Sequence, residues 1–326
     1  MLKAENELSP VADNQPTVPP EIQAPLAAFK GEPPPPSDWF VRALAVQPER
    51  RVMDVDGTPI ELLTWGEIGK PGLLLLHGQG AHADWWDHIA PYFAQDWRVA
   101  AISWSGMGKS GWREAYNYEV FTKEAFAAVQ AGELEAGGHK PIFVGHSFGG
   151  FPTLYCGVNH ADRMRGAVMV DSFVRPQATG VSQWAIKAKP HTVYPTLREA
   201  LARFRFAPLQ GSEHPYIIDH IARGALKQAP LEDGSGMGWT WRFDPFFWRK
   251  ADRGALSELL PRVAAPLALV WGERSRLVDP PTAEYMLGLA PPGTKRVIIP
   301  NAEHHIMVDQ PLALIAGLRG LFAAWP

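Results

Sequence analysis

The chain contains 326 residues, 46% of them hydrophobic and 20% charged, which is the composition of a globular protein long enough for one large domain with an insertion. Its formal net charge of −3 argues against a nucleic-acid partner, and no apolar run approaches the length of a membrane span. The single cysteine, Cys156, excludes an intrachain disulfide and a cysteine-based metal cluster.

Residues 1–37 form a proline-rich segment that ends in Pro33, Pro34, Pro35 and Pro36. Such a composition cannot build a core, so it predicts an extended or disordered arm, with order beginning near Trp39. The N-terminus lacks the apolar stretch of a secretory signal, which predicts a cytoplasmic protein.

From residue 38 onward the pattern alternates between strands and helices. Two strand-like stretches, 51–55 and 60–65, flank a turn that is typical of a hairpin. Continuous apolar runs, typical of strands buried on both faces of a parallel sheet, lie at 73–76, 98–102, 142–144, 167–170, 267–270 and 297–299. The sequence therefore predicts an α/β fold with a mostly parallel sheet of about eight strands, flanked by helices.

The stretch 174–262 interrupts this alternation. It contains helical segments, one of which opens with the capping pair Thr196 and Glu199, and it is rich in tryptophan and phenylalanine. We expect a helical cap inserted between two strands, with the core formed by 38–173 and 263–326.

The pentapeptide Gly145-His146-Ser147-Phe148-Gly149 lies between an apolar run and a segment rich in small residues. A G-x-S-x-G sequence between a strand and a helix is the signature of a nucleophile elbow. The helix N-terminus that follows offers free N–H groups, which favour negative charge. The pattern predicts Ser147 as a nucleophile.

Acyl transfer by a serine also needs a base, an acid and two hydrogen-bond donors for the oxyanion. His304 follows the last apolar strand and is the candidate base, in preference to the adjacent His305. The turn His77–Gly80 follows the first buried strand. It predicts an oxyanion hole made by the backbone N–H groups of Gln79 and Phe148.

These motifs, together with the turn Ser105–Ser110, resemble those of the α/β-hydrolase superfamily, above all its cap-bearing esterases and carbon–carbon bond hydrolases. The resemblance covers residues 50–326. It implies the α/β-hydrolase fold, with Ser147 as nucleophile, His304 as base, and the oxyanion donors already named.

The acid departs from the family's pattern. Many relatives carry it in a Trp-Gly-x-x-Asp segment, where this chain has Ser275. Asp171 is the preferred substitute, because it ends the strand beside the elbow strand, where some branches of the superfamily place their acid. Glu273 and Asp279 remain alternatives. Ser103 likewise stands where many relatives carry an aspartate of structural role.

Ligands of open parallel sheets bind at the carboxyl ends of the strands. There we expect an apolar substrate pocket lined by Trp85, Trp86, Trp104 and His146. The sequence predicts a serine hydrolase that cleaves a medium-sized, largely hydrophobic carboxylic ester through an acyl-enzyme on Ser147.

Several other functions remain open on the same residues. They are a carbon–carbon bond hydrolase, a lactonase, a thioesterase, a cofactor-independent haloperoxidase, and a ligand-binding protein that has lost catalysis. Because haloalkane dehalogenases and epoxide hydrolases of this fold attack with an aspartate, a serine elbow disfavours both. The predicted partner is a small-molecule substrate, with no cofactor and no metal, and the oligomeric state stays open.

Overall fold

The computed structural model describes residues 18–176, 187–252 and 254–325. Its strands are β1 (Glu49–Val55), β2 (Thr58–Trp65), β3 (Gly72–Leu76), β4 (Arg98–Ile102), β5 (Ile142–His146), β6 (Gly166–Val170), β7 (Leu226–Pro230), β8 (Met237–Trp241), β9 (Leu267–Gly272) and β10 (Lys295–Ile299). Eight of them form one sheet in the order β1-β2-β4-β3-β5-β6-β9-β10.

This sheet is antiparallel only at its first edge. Strand β2 pairs antiparallel with both β1 and β4, whereas β3 to β6, β9 and β10 pair in parallel with their neighbours. The prediction of a mostly parallel eight-stranded sheet is confirmed. Because the parallel strands run the same way, the loops that follow them gather at one edge, where a site is expected.

Helices cover both faces of the sheet. They are α1 (Pro20–Gln23), α2 (Asp38–Ala45), α3 (Tyr118–Ala131), α4 (Gly150–Asn159), α5 (Leu197–Leu201), α6 (Pro215–Gly224), α7 (Phe247–Lys250), α8 (Leu256–Leu259), α9 (Pro280–Leu289), α10 (Ile306–Asp309) and α11 (Pro311–Ala323). Side-chain caps fix the start of several of these helices. Asn117 caps α3, Thr196 caps α5, and Asp279 caps α9.

The alternation of side chains along the buried strands creates two cores. Leu73 and Leu75 of β3 belong to the cluster that contains α11, while Leu74 and Leu76 belong to the cluster that contains α3. All four leucines have no accessible surface. A strand buried on both faces therefore reads as an unbroken apolar run.

The chain between β6 and β9, called the insertion below, contains α5 to α8. It also contains the antiparallel hairpin β7–β8, which the sequence analysis did not predict. These two strands are short and half-exposed, and β7 includes Lys227, Gln228 and Pro230, so they lack the apolar run by which the sheet strands were recognised. Residues 177–186 of the predicted cap lie outside the described residues.

The proline-rich segment 18–37 packs against the rest of the protein, ahead of Trp39, where the sequence predicted that order would begin. Leu26 is buried in the core cluster that contains α11, and Phe29 packs against the same cluster. Arg223 of α6 donates a hydrogen bond to the carbonyl oxygen of Gly31 at 2.7 Å. The apolar residues between the prolines anchor the segment 18–37, which composition alone does not reveal. Residues 1–17 of the predicted arm lie outside the described residues.

Within the described ranges, no helix combines the length and apolar character needed to cross a membrane.

Candidate active site

Ser147 lies at the sharp turn between β5 and α4. Its φ of 50° is in the left-handed region, which a residue with a side chain adopts only under strain. A Cβ atom on Gly145 would collide with the carbonyl oxygen of Gly149, and a Cβ on Gly149 would collide with that of Leu76. Glycine is therefore required at both ends of the turn, which holds the serine at the carboxyl end of the sheet.

His304 links this serine to a buried carboxylate. Its Nε2 lies 3.1 Å from the Ser147 hydroxyl oxygen, and its Nδ1 lies 2.8 Å from Asp171 Oδ1. A carboxylate only accepts hydrogen bonds, so Nδ1 carries the proton and Nε2 presents its lone pair to the serine. The structure thus brings together the predicted nucleophile, base and preferred acid from the ends of β5 and β6 and the loop after β10.

Asp171 has two further hydrogen-bond donors. The N–H of Gly272 donates to Oδ2 at 2.9 Å, and the Ser275 hydroxyl donates to Oδ1 at 2.6 Å. The Ser275 oxygen already accepts from the N–H groups of Leu277 and Val278, so its own hydrogen is directed to Asp171. The serine at the family's usual acid position therefore holds the carboxylate that comes from the neighbouring strand.

Neither alternative acid contacts His304. Glu273 is exposed and accepts a hydrogen bond from the N–H of Asn301 at 2.9 Å. Asp279 caps α9 by accepting from the N–H of Thr282 at 3.0 Å. Glu273 thus binds the backbone of a nearby loop and Asp279 binds the first turn of α9, so neither carboxylate completes the site in this geometry.

The turn after β3 approaches the nucleophile closely. A Cβ atom on Gly78 would lie 3.1 Å from His146 Nδ1 and 3.2 Å from Ser147 Cβ, so a larger residue there would press on the elbow. The next N–H along the chain, that of Gln79, has no hydrogen-bond partner among the described residues. Phe148 occupies the first turn after the elbow, where a helix leaves its N–H groups free. This arrangement suits the two predicted oxyanion donors.

His77 fixes the shape of that turn. Its Nδ1 donates to the carbonyl oxygen of Gly78 at 2.7 Å, and its Nε2 accepts from the N–H of Trp104 at 3.0 Å. Burial lowers the pKa of His77 to about 3, so the ring stays neutral and keeps both bonds at neutral pH.

The predicted pocket residues occupy different surroundings. Trp86 and Trp104 have no accessible surface and belong to the two core clusters. His146 is also buried, and its Nε2 donates to the carbonyl oxygen of His304 at 3.0 Å, which positions the backbone of the base. Burial holds the pKa of His146 well below its ordinary value. Two of the four therefore lie beside the site, Trp85 in contact with the His305 ring and His146 in contact with the His304 ring.

A polar cluster behind the base was missed by sequence reasoning. Gln210 of the insertion accepts hydrogen bonds from the N–H and the Nδ1–H of His305 and donates to Asp309 at 3.4 Å. His305 was visible as the neighbour of His304. Nothing in the sequence around Gln210 indicates that its side chain reaches across the site. In the part of the chain that the structure describes, no three or more His, Cys, Asp or Glu side chains form a metal-binding group.

Comparison with known proteins supports the architecture. A family model for the alpha/beta hydrolase fold matches residues 71–311. The esterase Rv0045c of Mycobacterium tuberculosis is 27% identical over 289 residues, which cover 84% of this chain and 90% of that protein. A pimeloyl-acyl-carrier-protein methyl ester esterase of Neisseria meningitidis is 25% identical over 242 residues, which cover 71% of this chain and 85% of that protein.

Among solved structures, the thioesterase domain from the curacin biosynthetic pathway superposes with a TM-score of 0.68 at 23% identity. The match covers 82% of this chain and 98% of that domain. At this level of identity the likeness concerns the fold. The family model spans most of the chain and agrees with the sheet described above, so the protein belongs to the α/β-hydrolase family.

Proposed function

We propose that this protein is a serine hydrolase that cleaves a carboxylic ester through an acyl-enzyme on Ser147. The observation that carries the proposal is the continuous hydrogen-bonded series from Ser147 to His304 to Asp171, with distances of 3.1 and 2.8 Å. Such a series activates a hydroxyl that is otherwise a weak nucleophile. The esterases among the relatives agree with this chemistry.

In the first half of the reaction, Ser147 Oγ attacks the carbonyl carbon of the ester and its proton moves to His304 Nε2. The negative charge that develops on the carbonyl oxygen is stabilised by the N–H groups of Gln79 and Phe148. Asp171 stabilises the imidazolium, which then protonates the leaving alcohol. In the second half, His304 removes a proton from water as the water oxygen attacks the acyl carbon. The bond from that carbon to Ser147 Oγ then breaks, His304 returns the proton to Oγ, and the acid is released.

Aromatic side chains flank the nucleophile and favour a largely hydrophobic substrate of medium size. The Phe148 ring follows Ser147 directly and packs edge-on against Phe247 and Trp248 of the insertion, at 5.4 and 6.0 Å between centroids. On the side of the base, Trp85 packs against Phe206, also of the insertion, at 6.1 Å. Most of these rings are themselves largely buried, so they make the surroundings of Ser147 apolar. Apolar surroundings with few polar groups are typical of sites that bury hydrophobic ligands.

Fluorophosphonate labelling followed by intact-mass measurement tests the activated serine. We expect one adduct on the unaltered protein and none on Ser147→Ala. A folded protein that takes up no label, or a label that persists in Ser147→Ala, would overturn the proposal. A series of p-nitrophenyl esters with increasing acyl length then tests the substrate class, and we expect the highest kcat/KM at intermediate length.

A further inference from the structure

His305 presents a ring nitrogen that the proposed reaction does not use. The centroid of its ring lies 4.6 Å from that of His304 and 4.6 Å from that of Phe206 in the insertion. The Trp85 ring lies 5.6 Å away. A second imidazole therefore lies against the proposed base, between the end of the sheet and the insertion.

Gln210 determines which nitrogen of this ring carries the proton. The backbone N–H of His305 can only donate, and it lies 2.8 Å from Gln210 Oε1, so that atom must be the carboxamide oxygen. His305 Nδ1 lies 2.6 Å from the same oxygen. Because this oxygen can only accept, Nδ1 carries the proton and Nε2 carries a lone pair. The amide nitrogen of Gln210 donates to Asp309, which agrees with this orientation.

The ring is neutral at neutral pH. Burial, with His304 and His146 close by, holds the pKa of His305 well below its ordinary value. His305 keeps 6% of its surface accessible. No described residue donates to Nε2, and this atom retains accessible surface. Next to the proposed base there is thus an acceptor of fixed orientation that no described residue occupies.

We propose that His305 Nε2 is a recognition atom, which accepts a hydrogen bond from a hydroxyl or amide N–H close to the scissile ester of the substrate. The inference rests on the hydrolase function proposed above. Trp85 and Phe206 restrict access of water around the ring, and an acceptor covered by an apolar substrate would be left unpaired. Unpaired buried polar groups are costly, so the site discriminates in favour of substrates that carry the donor.

Matched esters measure this discrimination. One pair compares esters of a hydroxylated fatty acid with esters of the same acid carrying a methyl group in place of the hydroxyl. A second pair compares ethylene glycol monoesters with propyl esters, which places the donor on the alcohol side. Proton release at constant pH gives kcat/KM for all four. We expect the hydroxylated member of at least one pair to be favoured by about tenfold, the value of one neutral hydrogen bond.

Two substitutions of His305 separate recognition from structure. In His305→Asn the amide nitrogen replaces Nδ1 and keeps the bond to Gln210, but nothing replaces Nε2, so the preference should disappear. In His305→Gln the longer side chain places a carboxamide oxygen near the former Nε2 position, so part of the preference should return. His139 is exposed, so His139→Asn is the matched control and should keep the full preference for the hydroxylated esters.

The proposal fails if the unaltered protein shows no preference in either pair, or if His305→Asn keeps it. Fluorophosphonate labelling of the same samples distinguishes this failure from that of the hydrolase function. A protein that labels at Ser147 and hydrolyses all four esters equally would retain the proposed function and lose only the recognition atom. Thermal unfolding of each variant checks that the ratio is measured on folded protein.

Discussion

Ser103 follows β4 and Ser275 follows β9, and both stand where many relatives carry an aspartate. In each place a carboxylate from the adjacent strand accepts the hydroxyl hydrogen of the serine. Ser103 donates to Glu61 of β2 at 2.7 Å, and Ser275 donates to Asp171, which follows β6, at 2.6 Å. At two places in this sheet, therefore, a serine stands where many relatives carry an aspartate, and the carboxylate comes from the neighbouring strand.

The two carboxylates differ in how their charge is balanced. Glu61 forms ion pairs with Lys109 at 3.1 Å and Arg50 at 3.4 Å. Within the described ranges, no lysine or arginine lies within ion-pair distance of Asp171, whose only ionisable partner is His304. The charge of Glu61 is thus balanced permanently, whereas that of Asp171 is balanced only when the imidazole is protonated. A buried carboxylate that has no lysine or arginine partner is therefore the one suited to stabilising a transient positive charge.

Neutralisation of Asp171 should have the largest effect on turnover. In Asp171→Asn the imidazolium loses its counter-charge and Nδ1 loses a pure acceptor, so kcat should fall by up to about 10⁴-fold, by analogy with serine-protease triads. Steady-state ester hydrolysis measures the fall, and circular dichroism checks that the fold is intact.

The two rejected carboxylates are the controls for this variant. Glu273→Gln and Asp279→Asn should keep nearly the full kcat, because Glu273 binds a loop N–H and Asp279 caps α9, and neither contacts His304. Near-normal turnover in Asp171→Asn, with a collapse in either control, would contradict the assignment of the acid.

Removal of the Ser275 hydroxyl tests how much its hydrogen bond to Asp171 contributes to turnover. Hydrogen bonds to charged groups are worth about 1.5–3 kcal/mol, so Ser275→Ala should lower kcat about tenfold or more by loosening Asp171. KM should change little, because Ser275 is two hydrogen bonds away from His304 Nε2. Ser275→Thr retains the hydroxyl and should retain most of kcat. Equal losses in Ala and Thr variants would show that packing, and not the hydrogen bond, matters at this position.

A third buried carboxyl, Asp309, has neither a serine nor a cation as a partner among the described residues. Its Oδ2 accepts from the N–H of Glu303 at 2.7 Å, its Oδ1 has no partner in the same ranges, and burial raises its pKa to about 7. In an unfolded chain the pKa of an aspartate is about 4. Between about pH 4 and pH 7 the folded state therefore binds the proton of Asp309 more tightly than the unfolded state does. Stability from this group is therefore complete below about pH 4 and is lost as the pH rises through 7.

Asp309→Asn should remove this contribution. Urea unfolding measured from pH 4 to pH 8 should show a smaller fall in the free energy of unfolding for the variant than for the unaltered protein. Parallel curves for the two proteins across this range would contradict the raised pKa.

The smallest effect is expected at the other serine. Ser103→Ala leaves Glu61 Oε2 without its donor and the N–H of Ala83 without its acceptor, at a cost of about 1–3 kcal/mol in the free energy of unfolding. The kcat per folded molecule should not change, because Glu61 is neutralised by Lys109 and Arg50. A loss of kcat as large as that of Ser275→Ala would show that the two regions do not differ in the proposed way.

Local patterns in the sequence predicted the features that depend on chain order. Apolar runs predicted the sheet, and residues at strand ends predicted that Ser147, Asp171 and His304 would meet, since parallel strands end at one edge. Ser275 appeared in the sequence as a missing acid. Its role as a donor to Asp171 depends on the distance between the ends of β6 and β9, which no local pattern encodes.

Contacts made by the insertion were not predictable in the same way. Gln210 reaches His305 only because of the path of the chain between α5 and α6. Tryptophans after a strand fit a pocket mouth and a core equally well, and Trp86 and Trp104 proved to lie in the core. The buried Leu26 shows the same limit in the proline-rich segment, since burial there depends on the surface against which it packs.

Ser147 and Asp171 share one backbone property, since their φ angles of 50° and 46° are both left-handed. Glycine adopts this conformation without strain, so a glycine at Ser147 would relax the backbone while removing the reactive hydroxyl. At Asp171 the same change would leave three buried donors unpaired, so the carboxylate also stabilises the fold. A programme to make this protein more robust would therefore need to screen for turnover at every round, because Ser147 exchanges folding stability for chemistry.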